Sequence, residues 1–97
     1  MGKWIDRLRA DTAEATRRAD VLARLLLWGW PRDEAEATAA RIARRDADDD
    51  RRTCVECRHY APGRCRNHRR TDLRSPDVGR ALAALPQRCG GFGRRDA

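Results

Sequence analysis

From Ile5 onward, apolar or small side chains recur at Ile5, Leu8, Thr12, Ala15, Ala19, Leu22 and Leu26, in alternating steps of three and four. That rhythm keeps them on one face of a helix. The middle of the stripe is thin. Asp11, with Glu14 three positions on, is spelled like a capping box. The pattern therefore predicts a short helix near 3–10 and a firmer one near 12–28, with one continuous helix as the alternative. Leu25 and Leu27 widen the apolar face before Gly29 breaks it. Pro31 suits the first turn of a second helix, where its missing N–H would be unpaired anyway. Asp33 and Glu34 suit that helix's positive end, and Arg41, Arg44 and Arg45 its negative end. Ala35, Thr38, Ala39 and Ile42 share the face to be buried. The expectation for residues 1–45 is a helical hairpin, about 12–28 against 31–45.

The turn between these helices, Trp28-Gly29-Trp30 followed by Ala35, resembles the ubiquitin-associated-like helical fold. The likeness spans roughly twenty residues, lacks a third helix and implies no function. Asp46-Ala47-Asp48-Asp49-Asp50-Arg51-Arg52 reads as a solvated hinge, and 46–53 as a polar linker. Further on, Ser75-Pro76-Asp77 has the form of a helix start. Val78, Ala81, Leu82 and Leu85 follow on one face, and Pro86 stops the run, predicting a helix over 76–85. The fold class is mainly α: an N-terminal hairpin and a small zinc-stabilised C-terminal module, 54–97, with one helix.

The chain has 97 residues, 38% of them charged, and a net charge of +7. No apolar run approaches the roughly 18 residues of a membrane span. The opening residues carry an acid and no apolar signal core, so a cytoplasmic, membrane-free protein is expected. The charge is lopsided: residues 1–50 carry −1 and residues 51–97 carry +8. Of 22 basic residues all but Lys3 are arginine. Arginine's planar fork suits phosphate and carboxylate. A basic C-terminal half implies nucleic acid, or an acidic protein surface, as partner.

All four cysteines, Cys54, Cys57, Cys65 and Cys89, lie in that half. A C-x₂-C turn aims two thiolates at one point, and two more complete the tetrahedral set of a closed, structural zinc site. Cys65 follows Gly63-Arg64, and Cys89 precedes Gly90-Gly91. Glycine at these places lets the backbone bend tightly. Zn²⁺ is the expected cofactor, with an iron–sulfur cluster as second choice. His68, three residues past Cys65, is the alternative fourth ligand in a Cys₃His set. The sizeable apolar side chains nearby are Val55, Tyr60, Leu73, Val78, Leu82, Leu85 and Phe92. Such a core is too small to order about forty residues unaided, so metal binding is expected to be part of folding. No nucleophile–base–acid set accompanies the cysteines, and no α/β alternation frames a redox C-x₂-C. An enzyme is not expected, and no catalytic residue is assigned.

The tail Cys54-x₂-Cys57-x-His59-Tyr60, Gly63-Arg64-Cys65, Gly79-Arg80, Leu85-Pro86-Gln87-Arg88-Cys89-x-Gly91-Phe92 resembles small uncharacterised accessory proteins of proteobacterial plasmids, phages and integrative elements. The resemblance covers about the last 45 residues and, more weakly, Leu22–Arg45. It implies a bacterial accessory or regulatory protein and no particular reaction. Three readings follow. The first is a zinc module binding nucleic acid through Arg58, Arg64, Arg66, Arg69, Arg70 and Arg74, with weak sequence preference. The second is an adaptor or inhibitor of a host or defence complex, anchored by Trp28 and Trp30. The third is a metal-held domain with no nucleic-acid partner.

Overall fold

The computed structural model describes residues 3–46 and 48–95 and divides into two compact units, Met1–Asp46 and Ala47–Ala97. The expected linker over 46–53 is thus mostly part of the second unit. Thr53 is buried there, and Arg52 pairs through its backbone with Gln87. Ala47 lies outside the described residues.

In the first unit the hydrophobic rhythm produces one helix, α1 (Lys3–Leu27), rather than two. Asp11 does not interrupt it. The hydroxyls of Thr12 and Thr16 donate to the carbonyls of Leu8 and Thr12 at 2.8 and 2.9 Å, so they are satisfied without leaving the helix. The stop is a Schellman motif. Trp30 N–H donates to Leu25 O and Gly29 N–H to Leu26 O, both at 3.0 Å, with Gly29 at φ +84°. The apolar pair that accompanies this motif is Leu25 and Trp30, both buried. Pro31 stands one place before α2 (Arg32–Ala43), and its carbonyl accepts the Ala35 N–H at 2.9 Å.

The face of α2 that is buried holds Ala35, Thr38, Ala39 and Ile42, as the periodicity predicts, together with Ala43. On α1 the outcome differs. The buried residues are Val21 and Leu25, each one position before a stripe member and so about 100° around the axis from it. Arg17 reaches from α1 to donate to Ala43 O at 3.2 Å, placing a cation on the carbonyl end of α2. Trp30 is 7% exposed. The Schellman turn folds it back into the hairpin, which removes it as an anchor for a partner. Trp28 is half-buried.

The second unit is built on a β-hairpin that the sequence pattern did not reveal. Strand β1 (Tyr60–Ala61) pairs antiparallel with β2 (Arg64–Cys65), Tyr60 opposite Cys65, with Gly63 at φ +78° in the turn. Further segments extend the pairing on both sides. Cys65 N–H donates to Pro76 O at 2.7 Å and Val78 N–H to Gly63 O at 2.8 Å. On the other edge Arg58 N–H donates to Gly93 O at 2.8 Å.

Because residues 76–78 serve as a strand partner, they cannot begin a helix. Ser75-Pro76-Asp77 is a turn, with the Asp77 N–H donating to the Ser75 hydroxyl at 3.1 Å. The third helix shrinks to α3 (Arg80–Ala83). Its buried residue is Ala83; Ala81 and Leu85 are exposed, so the face expected over 78–85 is not formed. Val55 and Val78 are the large side chains wholly withdrawn from water in this unit, with Tyr60 nearly so. Among the described residues no helix is long and apolar enough to cross a membrane.

Gly29 offers a clean test of the hairpin. A Cβ there meets nothing within 4 Å, so Gly29→Ala adds backbone strain without a clash. Thermal unfolding followed by helical circular dichroism should show a loss of about 1–2 kcal/mol, the cost of a left-handed residue bearing a Cβ.

Candidate metal centre and arginine surface

Cys54–Glu56 forms a 3₁₀ turn, with Cys57 N–H donating to Cys54 O at 3.0 Å. The Glu56 carboxylate accepts from the Thr53 N–H at 2.8 Å and from its hydroxyl at 3.0 Å. This box fixes the backbone that carries the first two cysteines. Cys65 ends β2. Cys89 is carried by a different device: Arg52 and Gln87 exchange two backbone hydrogen bonds, at 2.8 and 2.9 Å, and Phe92 N–H then donates to Cys89 O at 3.2 Å. Four residues scattered over three segments are thereby brought together.

Cys54, Cys57, Cys65 and Cys89 all line one cavity of about 110 Å³, with Tyr60, Leu73 and Phe92 among its apolar walls. Neither His59 nor His68 lines it. His68 sits in a separate 3₁₀ turn, His68–Arg70, while Cys89 joins the other three cysteines in the cavity lining.

The sulfurs receive hydrogen bonds. Cys57 Sγ accepts from the backbone N–H groups of His59 and Gly93, both at 3.4 Å, and Cys54 Sγ accepts from the Gln87 amide at 3.5 Å. The Gln87 donor favours the Cys54 thiolate. Against this, burial pushes the Cys54 thiol up to about 11, and the charges of Cys65, Cys89 and Cys57 push the same way, while the Gln87 bond opposes them. Without a compensating cation, Cys54 keeps its proton at neutral pH and is a poor nucleophile.

All four are free cysteines. Among the described residues no three His, Cys, Asp or Glu side chains already converge as a ligand shell. The thiols surround the cavity rather than meeting at its centre. In donor chemistry four soft sulfurs, with amide donors directed at two of them, are the kind of set zinc takes, and Asp72 is the one carboxylate in the cavity lining.

Three further residues hold this unit closed. Arg95 crosses from the tail to donate to Tyr60 O at 2.7 Å and to Val55 O at 3.4 Å. The Asn67 amide donates to Gly91 O at 3.0 Å. Gln87 ties its segment down by backbone and side chain together. Sequence reasoning gave none of the three a structural role, although Gln87 stands in the quoted Leu85–Phe92 motif. Thr53-x-x-Glu56, also passed over, is a legible capping-box spelling.

Arg58, Arg64, Arg66, Arg69, Arg70 and Arg74 are all exposed. Arg51 and Arg88 differ, being paired with Asp49 at 3.0 Å and Asp50 at 2.9 Å. Among the described residues, Arg64, Arg66, Arg69, Arg70 and Arg74 form no ion pair. They occupy one stretch running from β2 through the His68–Arg70 turn to the loop before Ser75. Tyr60 is buried and bonded through its hydroxyl, and Phe92 is half-buried in the cavity wall. The two aromatic side chains of this unit are thus not free platforms for stacking. Comparison with protein-family models, curated proteins and solved structures finds no match to this chain.

The glycines after Cys89 separate two demands. A Cβ on Gly91 would lie 2.8 Å from Thr71 Cγ2 and 3.2 Å from Arg70 O, whereas one on Gly90 comes no nearer than 3.8 Å to Arg70 O. Gly91→Ala should cost about 1–3 kcal/mol by overpacking in thermal unfolding of the second unit, and Gly90→Ala close to nothing.

Proposed function

We propose that the second unit is a structural zinc module that presents an arginine surface to nucleic acid. The observation that carries the reading is a cavity lined by all four cysteines in a unit with so little large apolar mass in its interior. A zinc ion bound there supplies a tetrahedral cross-link between the Cys54–Cys57 turn, β2 and the Cys89 loop. Its charge would favour the Cys54 thiolate against the burial that holds the thiol protonated. Four protein thiolates leave no coordination position for water, so the module is read as non-enzymatic.

The unpaired arginines supply the second half of the reading. Guanidinium groups with no internal carboxylate are available to phosphates. With no exposed aromatic among the described residues of this unit to stack on bases, affinity rests on backbone phosphates and carries little sequence preference. The resemblance to mobile-element accessory proteins agrees with an accessory or regulatory role in a bacterial cytoplasm. An acidic protein surface is the competing partner, and it loses one support because Trp30 is a core residue.

Elemental analysis of protein purified without added metal should give one zinc per chain, and Cys57→Ser should abolish it. Chelation should erase the dispersed amide signals of residues 51–97 while the helical signal of α1 and α2 persists. A metal-free preparation with those amides equally ordered would overturn the zinc reading.

Duplex binding measured at several salt concentrations should fall linearly on a log–log plot. Replacing Arg66, Arg69 and Arg70 together by Ala should flatten that slope by roughly 0.9 for each phosphate no longer neutralised. An unchanged slope with full folding would remove nucleic acid as the partner.

A further inference from the structure

We propose that α1 is a dimerisation helix, along which two copies of this chain pair antiparallel. The stripe Ile5, Leu8, Thr12, Ala15, Ala19, Leu22, Leu26 keeps its three–four alternation without a break, as the a and d positions of a heptad do. The hairpin core takes Val21 and Leu25 instead, so the stripe is uncovered from Ile5 to Ala19 and only half-buried at Leu22 and Leu26. Ile5 and Leu8 are left 40% and 54% exposed, beside Trp4 at 61%, and Thr12, Ala15 and Ala19 are exposed as well. Single exposed apolar residues are ordinary, but an apolar line along a helix is not. Thr12 is no obstacle, because its hydroxyl is already satisfied by Leu8 O.

The occupant is fixed by charge and size. Set two α1 helices antiparallel with Ile5 opposite Leu22 of the second copy. Leu8 then faces Ala19, and Thr12 faces Ala15. Large residues meet small ones in the interior layers, so the thin centre permits close approach. In this register the flanking Asp11 of each copy meets Arg18 of the other, and the twofold axis makes the pair twice. Among the described residues neither Asp11 nor Arg18 has an ion pair of its own. Sliding the register by one heptad sets Asp11 against Asp11 in one direction and Arg18 against Arg18 in the other. Parallel pairing stacks Ala15 on Ala15 and Ala19 on Ala19, leaving Asp11 opposite Thr16. Of these arrangements only the first satisfies both the stripe and the flanking charges.

The paired length, residues 5–22, is about 27 Å. That is short, so the dimer should be weak and concentration-dependent. The test is sedimentation velocity on the full chain, freed of nucleic acid, over a wide concentration range. A monomer–dimer equilibrium is expected. Leu8→Asp, which strikes both halves of the interface, should weaken it by at least about a hundredfold while leaving helical content unchanged. Asp11→Arg alone should also weaken it, and Asp11→Arg with Arg18→Asp should restore it. A chain that stays monomeric throughout, a dimer indifferent to Leu8→Asp, or a double reversal that fails to rescue would each overturn the proposal.

Discussion

Everything in the second unit depends on one shortage. Val55 and Val78 are its fully buried large side chains, and they cannot order about fifty residues by apolar burial alone. The backbone is instead held by a series of short pairings between distant segments: Arg52 with Gln87, Arg58 with Gly93, β1 with β2, and β2 with the strand-like stretch around Asp77. Each supplies one or two hydrogen bonds, too few to be stable in isolation. Their common result is to gather four thiols around one space. A cation there would draw the four sulfurs together as thiolates and supply the restraint that apolar burial does not.

Arginine does two different jobs in this chain. Arg17 and Arg95 act inward, donating to the backbone carbonyls of Ala43 and Tyr60. Arg64 to Arg74 face outward and find no acid among the described residues. The net charge of the C-terminal half alone cannot separate these uses. A guanidinium that closes a helix end or ties down a tail is a structural hydrogen-bond donor, and it contributes nothing to a partner surface.

Much of the first unit was legible in the sequence. Gly29 and Pro31 mark the turn, and the α2 face follows directly from a period of 3.6. What misled was the stripe on α1, the clearest periodic signal in the chain, which does not face the partner helix. Periodicity identifies an apolar face without saying what covers it. In the second unit the four cysteines stood out by spacing and glycine context, and all four line one cavity without converging as a ligand shell. The β-hairpin was not readable, because two-residue strands are too short for an alternating pattern. Ser75-Pro76-Asp77 carried a sound local helix signal that lost to tertiary pairing with β2.

The bonds that close the second unit join residues far apart in the chain: Gly93 to Cys57 and Arg95 to Val55 lie 36 and 40 positions apart. The hairpin of α1 and α2, by contrast, needs only local closure. Local pairings form early in folding and long loops close late. By that ordering a newly made molecule would close its helices before its sulfhydryls leave solvent, and the four thiols would be open to oxidation until the second unit assembles.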